Sequence, residues 1–404
     1  MSESSDANSS GALAGLRVLD LGLLVQGPQA ALMLSDLGAD VIKIELPGLG
    51  DQSRWIPISM QDLRAPYFIG CNRGKRSVTL DLRKSAGQEV FLRMVESADV
   101  VISNFVPGTL DGWGIGYEML AQRNPRIVVG SASSFGSVGP DADRRGADLA
   151  GQAAGGLIRA TGSGPEDASP IGITIADHLG SQNLANGILA ALYARERTGR
   201  GQHVEVSLLG GQIYAQASEY TYTFLTGSEV PPPAGGHPLI PMIYGIVPTQ
   251  DGHIALVGVP EPDRGPFFEL VGRPELQKDP RFDVLLMTDE HRRQLFAELG
   301  DAFRTKTTGE WGDLLREAGI RYAPVRSRSE VAEDEGVYAN GYLQRIEHAE
   351  WGALPMVGVP IRLSDTPSKA GELAPELGQH TEEVLLELGF EWDEIATLRE
   401  AGVI

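Results

Sequence analysis

Two short apolar runs with a helical stretch between them constrain this chain more than any other feature. LRVLDLG (Leu16–Gly22) and ADVIKIE (Ala39–Glu45) read as strands, and PQAALMLSDLG (Pro28–Gly38) reads as a helix that opens on proline and closes on glycine. A helical crossover between two buried strands implies a parallel pair, and parallel sheets are covered by helices on both faces. The alternation continues through SVTLDL (Ser77–Leu82), a helix over about Ser85–Ser97, DVVISNF (Asp99–Phe105), a helix near Tyr117–Arg123 and RIVVGSAS (Arg126–Ser133). These units predict an α/β fold with a doubly wound, Rossmann-like sheet.

Beyond residue 133 the pattern changes. Ser134–Pro170 holds eight of the glycines, Gly136 to Gly164, and reads as loops near a ligand. Ser181–Arg197 has helical spacing of Leu184, Ile188, Leu189 and Leu192, and HVEVSLL (His203–Leu209) alternates like a strand. VPPPAGGHP (Val230–Pro238) is a linker, and Asp251–Gly252 between two apolar runs signals a β-hairpin. The expected organisation is a large domain over 11–230, a smaller α+β domain over 231–330, and a return of the chain to the large domain over 331–404.

Composition removes several function classes. Lys and Arg number 34 against 54 Asp and Glu, a net charge of −20, which repels nucleic acid and anionic membranes unless positive charge is gathered locally. The single cysteine, Cys71, permits no intrachain disulfide and no cysteine-based metal site. The N-terminal MSESSDANSSGALAG has neither a basic n-region nor an apolar h-region, and no stretch reaches about 18 consecutive apolar residues, so a cytoplasmic protein is expected.

Four constellations carry candidate chemistry. Glu45 ends the second strand where a ribose-binding carboxylate would sit, but the preceding turn, Gly22-Leu-Leu-Val-Gln-Gly27, lacks the dinucleotide fingerprint. Arg73, Lys75 and Arg76 in CNRGKRSVTLDL concentrate positive charge on one turn, which suits phosphate binding or is simply a solvated turn. NFVPG (Asn104–Gly108) follows a strand, where open α/β sheets bind ligands, although a structural turn looks the same. Asp177 stands just before the helix of PIGITIADHLGSQNLANGILAALYARERTGRGQHVEVSLL, as an N-cap or as a carboxylate nucleophile toward an activated acyl group.

Taken in order, GLRVLDLG, GPQAALMLSDLGADVIKIE, GDQSR, NRGKRSVTLDL, SADVVISNFVPG, NPRIVVGSASSFG, GILAALYARERTGRGQHVEVSLL and GQHTEEVLLELG resemble the class III CoA-transferases, the family of formyl-CoA and carnitine CoA-transferases. The resemblance runs from about Gly15 to Ile404. It implies a large Rossmann-like domain built from both chain ends, a smaller domain between, and an interlocked homodimer. It also implies that CoA passes from an acyl-CoA donor to a small carboxylic acid through an aspartyl anhydride and an aspartyl-CoA thioester on Asp177, with the CoA thioester as substrate and no tightly bound cofactor or metal. CoA contacts fall by position on Leu24, Val25, Lys75, Asn104 and Phe105, to which Arg73 and Arg76 are added as neighbouring cations. Glycine-rich loops over 134–164 and at Gly235 and Gly236 would close over the thioester, the latter as the substrate loop.

Departures from the family pattern matter. Leu46 and Gly112 stand where some members carry arginine, and Ser133 where the formyl-CoA enzyme carries lysine, which argues against the formyl and oxalyl pair. Acyl-CoA racemases of the same fold use a histidine and aspartate pair, and the histidine position is Ala147 here. Racemisation or isomerisation of an acyl-CoA, and a non-catalytic CoA-binding subunit, stand as the alternatives.

Overall fold

The computed structural model describes residues 11–162, 167–231, 236–237, 239–240, 242–283, 287–348 and 351–404. The chain divides into two compact units. One comprises the chain up to Gly156 with Ile171–Ala215 and Glu335–Ile404, the other Leu157–Pro170 with Gln216–Asp334. The division therefore falls at 215/216 and 334/335, where the sequence suggests 230/231 and 330/331, and it gives a stretch of the glycine-rich region to the second unit.

Elements are numbered along the whole chain. In the first unit β1 (Arg17–Asp20), β2 (Asp40–Glu45), β3 (Arg76–Thr79), β4 (Val100–Ser103), β5 (Val128–Ser133) and β6 (His203–Ser207) form a six-stranded parallel sheet in the order β3-β2-β1-β4-β5-β6. Successive residues of a strand face opposite sides of a sheet, and both sides here are apolar. Leu19, Ile42 and Val101 enter one core with Phe91, Leu120 and Val384, while Val18, Val41 and Val100 enter the other with Ala30, Leu34, Leu184 and Ile188. The helices involved are α1 (Gln26–Asp36), α3 (Ser85–Glu96), α5 (Tyr117–Arg123), α8 (Ile175–Thr198) and α16 (Thr381–Glu387). Each fully buried Leu, Ile, Val or Phe contributes about 1.5–3 kcal/mol.

Helices α2 (Pro66–Asn72), α4 (Thr109–Gly112), α6 (Asp148–Ala154) and α9 (Leu208–Ala215) join them. The C-terminal segment supports the edge strand β3: the His380 N–H donates to the Ser77 carbonyl (2.9 Å), and the Thr79 N–H to Thr381 Oγ1 (3.0 Å). It also carries α15 (Glu335–Ala339), α17 (Trp392–Glu400) and a hairpin not foreseen in the sequence, β10 (Leu343–His348) with β11 (Gly352–Val357).

The second unit has an antiparallel sheet of β7 (Tyr244–Pro248), β8 (His253–Val257) and β9 (Tyr322–Pro324), with β7 and β8 joined at the expected Asp251–Gly252 turn. Helices α11 (Glu261–Leu270), α12 (Asp289–Phe303) and α13 (Thr308–Glu317) pack Phe267, Phe268, Phe303 and Trp311 against it. This unit also holds α7 (Leu157–Thr161), α10 (Ala217–Thr226) and α14 (Arg328–Ala332). Among the described residues no helix is long and apolar enough to cross a membrane.

Candidate active site

Strand order reverses between β1 and β4, so the loops that follow these two strands bound a crevice at the carboxyl edge of the sheet. Asn104, directly after β4, spans it: the Leu23 N–H donates to Asn104 Oδ1 and Asn104 Nδ2 to the Leu23 carbonyl, both at 2.8 Å. Leu24 has φ of +63°, and among the described residues it is the only non-glycine with positive φ. A leucine there is strained, and surrounding structure must hold it. Asp51 does so, accepting the Leu24 N–H (3.0 Å) together with the Ser53 N–H and hydroxyl (2.8 Å each).

Buried charges brace this loop from below. Lys43 Nζ pairs with Asp51 (2.8 Å) and donates to the Gly22 carbonyl (2.7 Å). Lys75 Nζ pairs with Asp20 (2.7 Å) and donates to the Pro28 carbonyl and to Asn72 Oδ1 (2.7 and 2.8 Å), and its side chain has no exposed surface. Beside them Arg54 makes two 2.8 Å hydrogen bonds to Glu45, the residue at the ribose position of a dinucleotide site.

The three cations that the sequence offers for CoA phosphates are thus not a free basic island. Lys75 is enclosed as described. Arg73 is buried and holds Asp36 through both terminal nitrogens, one at 2.8 Å. Arg76 pairs with Asp40 (2.7 Å), Glu383 (3.0 Å) and Glu387 (2.6 Å). A cation leaves water only with a counter-charge, and a chain with twenty surplus acids supplies one to each.

Leu24, Val25, Asn104 and Phe105, by contrast, do gather at the crevice. Phe105 meets Trp113 edge-on at 5.4 Å. Both line an apolar slot of about 280 Å3 with Leu23, Leu46, Leu80 and Trp55, and Arg83, paired with Asp81 yet 59% exposed, lines it too. Phe105 also lines a polar hollow of about 380 Å3 with Ser103, Ser131, Ser133, His203 and Glu205. Val25 lines a third, larger cavity of about 690 Å3, mostly apolar, which also reaches His178 and Cys71. Burial pushes the Cys71 thiol up to about 11, so it packs and does not react at neutral pH. Of the two glycines of the expected substrate loop, Gly235 lies outside the described residues. Gly236 is in the second unit, where a side chain would collide with the Tyr244 carbonyl.

Immediately after Val25, Gln26 connects this loop to α8. The Ser181 hydroxyl donates to the Gln26 carbonyl (2.8 Å) and is also 2.7 Å from the Asp177 carbonyl. The buried Gln26 amide lies over Gly180, where a Cβ would come within 2.5 Å of Nε2, and Nε2 has no partner among the described residues.

Helix α8 begins at Ile175, six residues before Ser181, where the sequence suggests it starts, so Asp177 lies inside the first turn and does not cap it. The cap comes from outside: Asp148 Oδ1 accepts the N–H groups of Ala176 (2.7 Å) and Asp177 (3.2 Å). Gln152 holds Asp148 by donating Nε2 to its Oδ2 (2.6 Å), and is itself fixed by the Ile171 N–H (3.1 Å). Gly151 allows this approach, since its Cβ would sit 3.0 Å from that of Ala176 and 2.8 Å from that of Leu208.

The Asp177 carboxylate has no hydrogen-bond partner among the described residues. Burial, and after it the neighbouring Asp148 charge, push it up to about 7. His178 points elsewhere, as successive helical residues do. Its Nδ1 meets Gln29 Oε1 and its Nε2 is 3.3 Å from Thr174 Oγ1, and burial lowers its pKa. The sequence offers Asp177 as a candidate and gives no sign of the contacts made by Asp148, Gln152, Gln26 and Asp51. Of these, Gln26 lies in the Gly22–Gly27 turn, Asp51 in GDQSR, and Asp148 and Gln152 in the glycine-rich stretch, but nothing local marks their partners.

Comparison with known proteins agrees with the geometry. Residues 13–381 match the profile of CoA-transferase family III. The chain is 34% identical over 400 residues to succinyl-CoA–D-citramalate CoA-transferase of Chloroflexus aurantiacus, covering 96% of this chain and 97% of that protein. It is 30% identical over 405 residues to human succinyl-CoA:glutarate CoA-transferase, covering 99% and 91%. A crystal structure of a CAIB/BAIF family protein from Brucella suis superposes with a TM-score of 0.83 at 32% identity, over 94% of this chain and all of that one.

Proposed function

The chain belongs to CoA-transferase family III and is an enzyme of that family, and on this premise we propose that it moves CoA between two carboxylic acids through covalent intermediates on Asp177. Members of the family transfer CoA between acyl-CoA and acids. The observation that carries the mechanism is the part-buried Asp177 carboxylate without a partner in the first turn of α8. A carboxylate so placed is more basic than one in water, and a more basic carboxylate attacks an acyl carbon faster.

An Asp177 Oδ attacks the donor thioester carbonyl, the C–S bond breaks, and the CoA thiolate departs, leaving a mixed anhydride. The thiolate then attacks Asp177 Cγ, and the Cγ–O bond to the donor acid breaks, giving an aspartyl-CoA thioester and free acid. The acceptor carboxylate repeats both exchanges in reverse and restores Asp177. No net proton moves, and the acyl activation survives only where water is kept out. His178, engaged at both ring nitrogens, and Ala147, in place of a histidine, leave the site without the second base that isomerisation needs.

We assign the CoA moiety to the crevice of Leu24, Val25, Asn104 and Phe105, with the adenine in the Phe105–Trp113 slot and Arg83 as a phosphate contact in place of Arg73, Lys75 and Arg76. Gly235 and Gly236 remain the proposed substrate loop. The relatives point to succinyl-CoA as the first donor to test, with dicarboxylates as acceptors. We also propose a cytoplasmic, interlocked homodimer, with the large domain drawn from both chain ends. It is supported by hairpin β10–β11 and helix α10, neither of which has a buried residue and both of which need a covering surface. Sedimentation at twice the chain mass tests the dimer.

For the chemistry, the protein is incubated with labelled succinyl-CoA, quenched with hydroxylamine and digested. Hydroxamate on Asp177 is expected, together with loss of transfer in Asp177→Ala. Transfer undiminished in that variant overturns the mechanism.

A further inference from the structure

Helix α8 is 24 residues long, so its N-terminus carries about half a positive charge and several N–H groups that an acidic side chain in the first turn ordinarily takes up. An anion held that way is stabilised and correspondingly inert. Here those groups are already taken, because the Ala176 and Asp177 N–H groups donate to Asp148 Oδ1. The N-cap residue Thr174 offers no side-chain hydrogen bond to the helix N–H groups, its hydroxyl lying instead against His178 Nε2.

Resting on the reading of Asp177 as nucleophile, we propose that Asp148 is a positioning residue that occupies the positive end of α8 and sets a negative charge beside Asp177, so that Asp177 stays a basic, reactive carboxylate. The arrangement is built: Gln152, 1% exposed, fixes the second Asp148 oxygen, and its own amide oxygen is fixed by the Ile171 N–H.

Among the described residues, the other elements packed on α8 offer no competing charge near Asp177. From α1 come Gln26 and Gln29, β5 carries no ionisable side chain, and α9 carries only Tyr214, which is exposed. His203 and Glu205 of β6 line the polar hollow with Ser131 and Ser133. Of the remaining titratable neighbours, His178 is held below its usual pKa by burial, and Cys71 remains a thiol. Asp148 is the charge left to act.

The test is the pH profile of single-turnover labelling of Asp177 from succinyl-CoA. Asp148→Asn keeps an acceptor for the helix N–H groups and removes the charge. Asp148→Ser, a shorter neutral cap, serves if Asn does not fold beside the Gln152 amide. Wild-type labelling should be half-maximal near pH 7, and in the neutral variant that midpoint should move to lower pH by about one unit, with slower labelling at its plateau. A purely structural role for Asp148 would reduce labelled protein without moving the midpoint. A midpoint unmoved in a folded variant, with Asp177→Ala unlabelled, overturns the role of Asp148 and leaves Asp177 as nucleophile. Transfer retained in Asp177→Ala overturns both.

Discussion

On the proposed role of Asp177 as nucleophile, a carboxylate kept basic for chemistry costs stability, and Asp177→Asn should recover it. Asp177 titrates at about 7 in the folded chain and near its ordinary 3.8 in the unfolded one. Between these values the folded state holds a proton that the unfolded state has lost, so wild-type stability falls as pH rises from about 4 to 7 and the deficit is constant above. The full difference corresponds to about 4 kcal/mol, and solvent at this part-exposed carboxylate leaves roughly half of that. Asparagine keeps the shape and carries no charge in either state. Its melting temperature at pH 8 should therefore exceed the wild type's by on the order of 2–4 °C, shrinking toward zero near pH 4. Calorimetric scans of both proteins across that range make the measurement. An advantage independent of pH, or an Asn variant less stable at pH 8, would refute the account of Asp177 as a destabilised anion.

Further outcomes follow from packing. In Gly180→Ala the new Cβ falls 2.5 Å from Gln26 Nε2 and displaces the Gln26 amide. Turnover should drop at least about tenfold, with roughly 1–3 kcal/mol lost from denaturant unfolding. Lys75→Met breaks the enclosed pair with Asp20 and should cost about 3–5 kcal/mol in the same measurement, with the acyl-CoA KM of the remaining folded enzyme unchanged. Arg83→Ala should show the reverse, a raised KM and an unaltered melting curve. A matched KM loss in Lys75→Met would restore the cation to the phosphate site.

The sheet was legible because its central strands, β1 and β4 among them, are short apolar runs, the mark of burial on both faces, while β6 shows through its alternation. Val18 and Leu19 on β1 confirm it by entering different cores. Asp177 could be found from the sequence, but its environment could not. The cap on α8 comes from Asp148, at a sequence separation of 28 from Ala176, and no local pattern around Asp177 encodes it. For the same reason Arg73, Lys75 and Arg76 read as an exposed cluster: their carboxylate partners Asp36, Asp20 and Asp40 lie 37, 55 and 36 positions upstream. Local charge density is visible in sequence, whereas compensation is a property of the fold.

The paired hydrogen bonds between Asn104 and Leu23 have a consequence for selectivity. One amide ties both rims of the crevice at a separation fixed by two 2.8 Å contacts, so the gap between the β1 and β4 loops behaves as a gauge of constant width. On the proposed placement of CoA in this crevice, thioesters that differ in acyl bulk would then meet the same aperture around their shared CoA portion. The same proposal puts discrimination among acids beyond it, on the Asp177 side, so a panel of acyl donors should differ in the rate of acylation far more than in CoA-portion affinity.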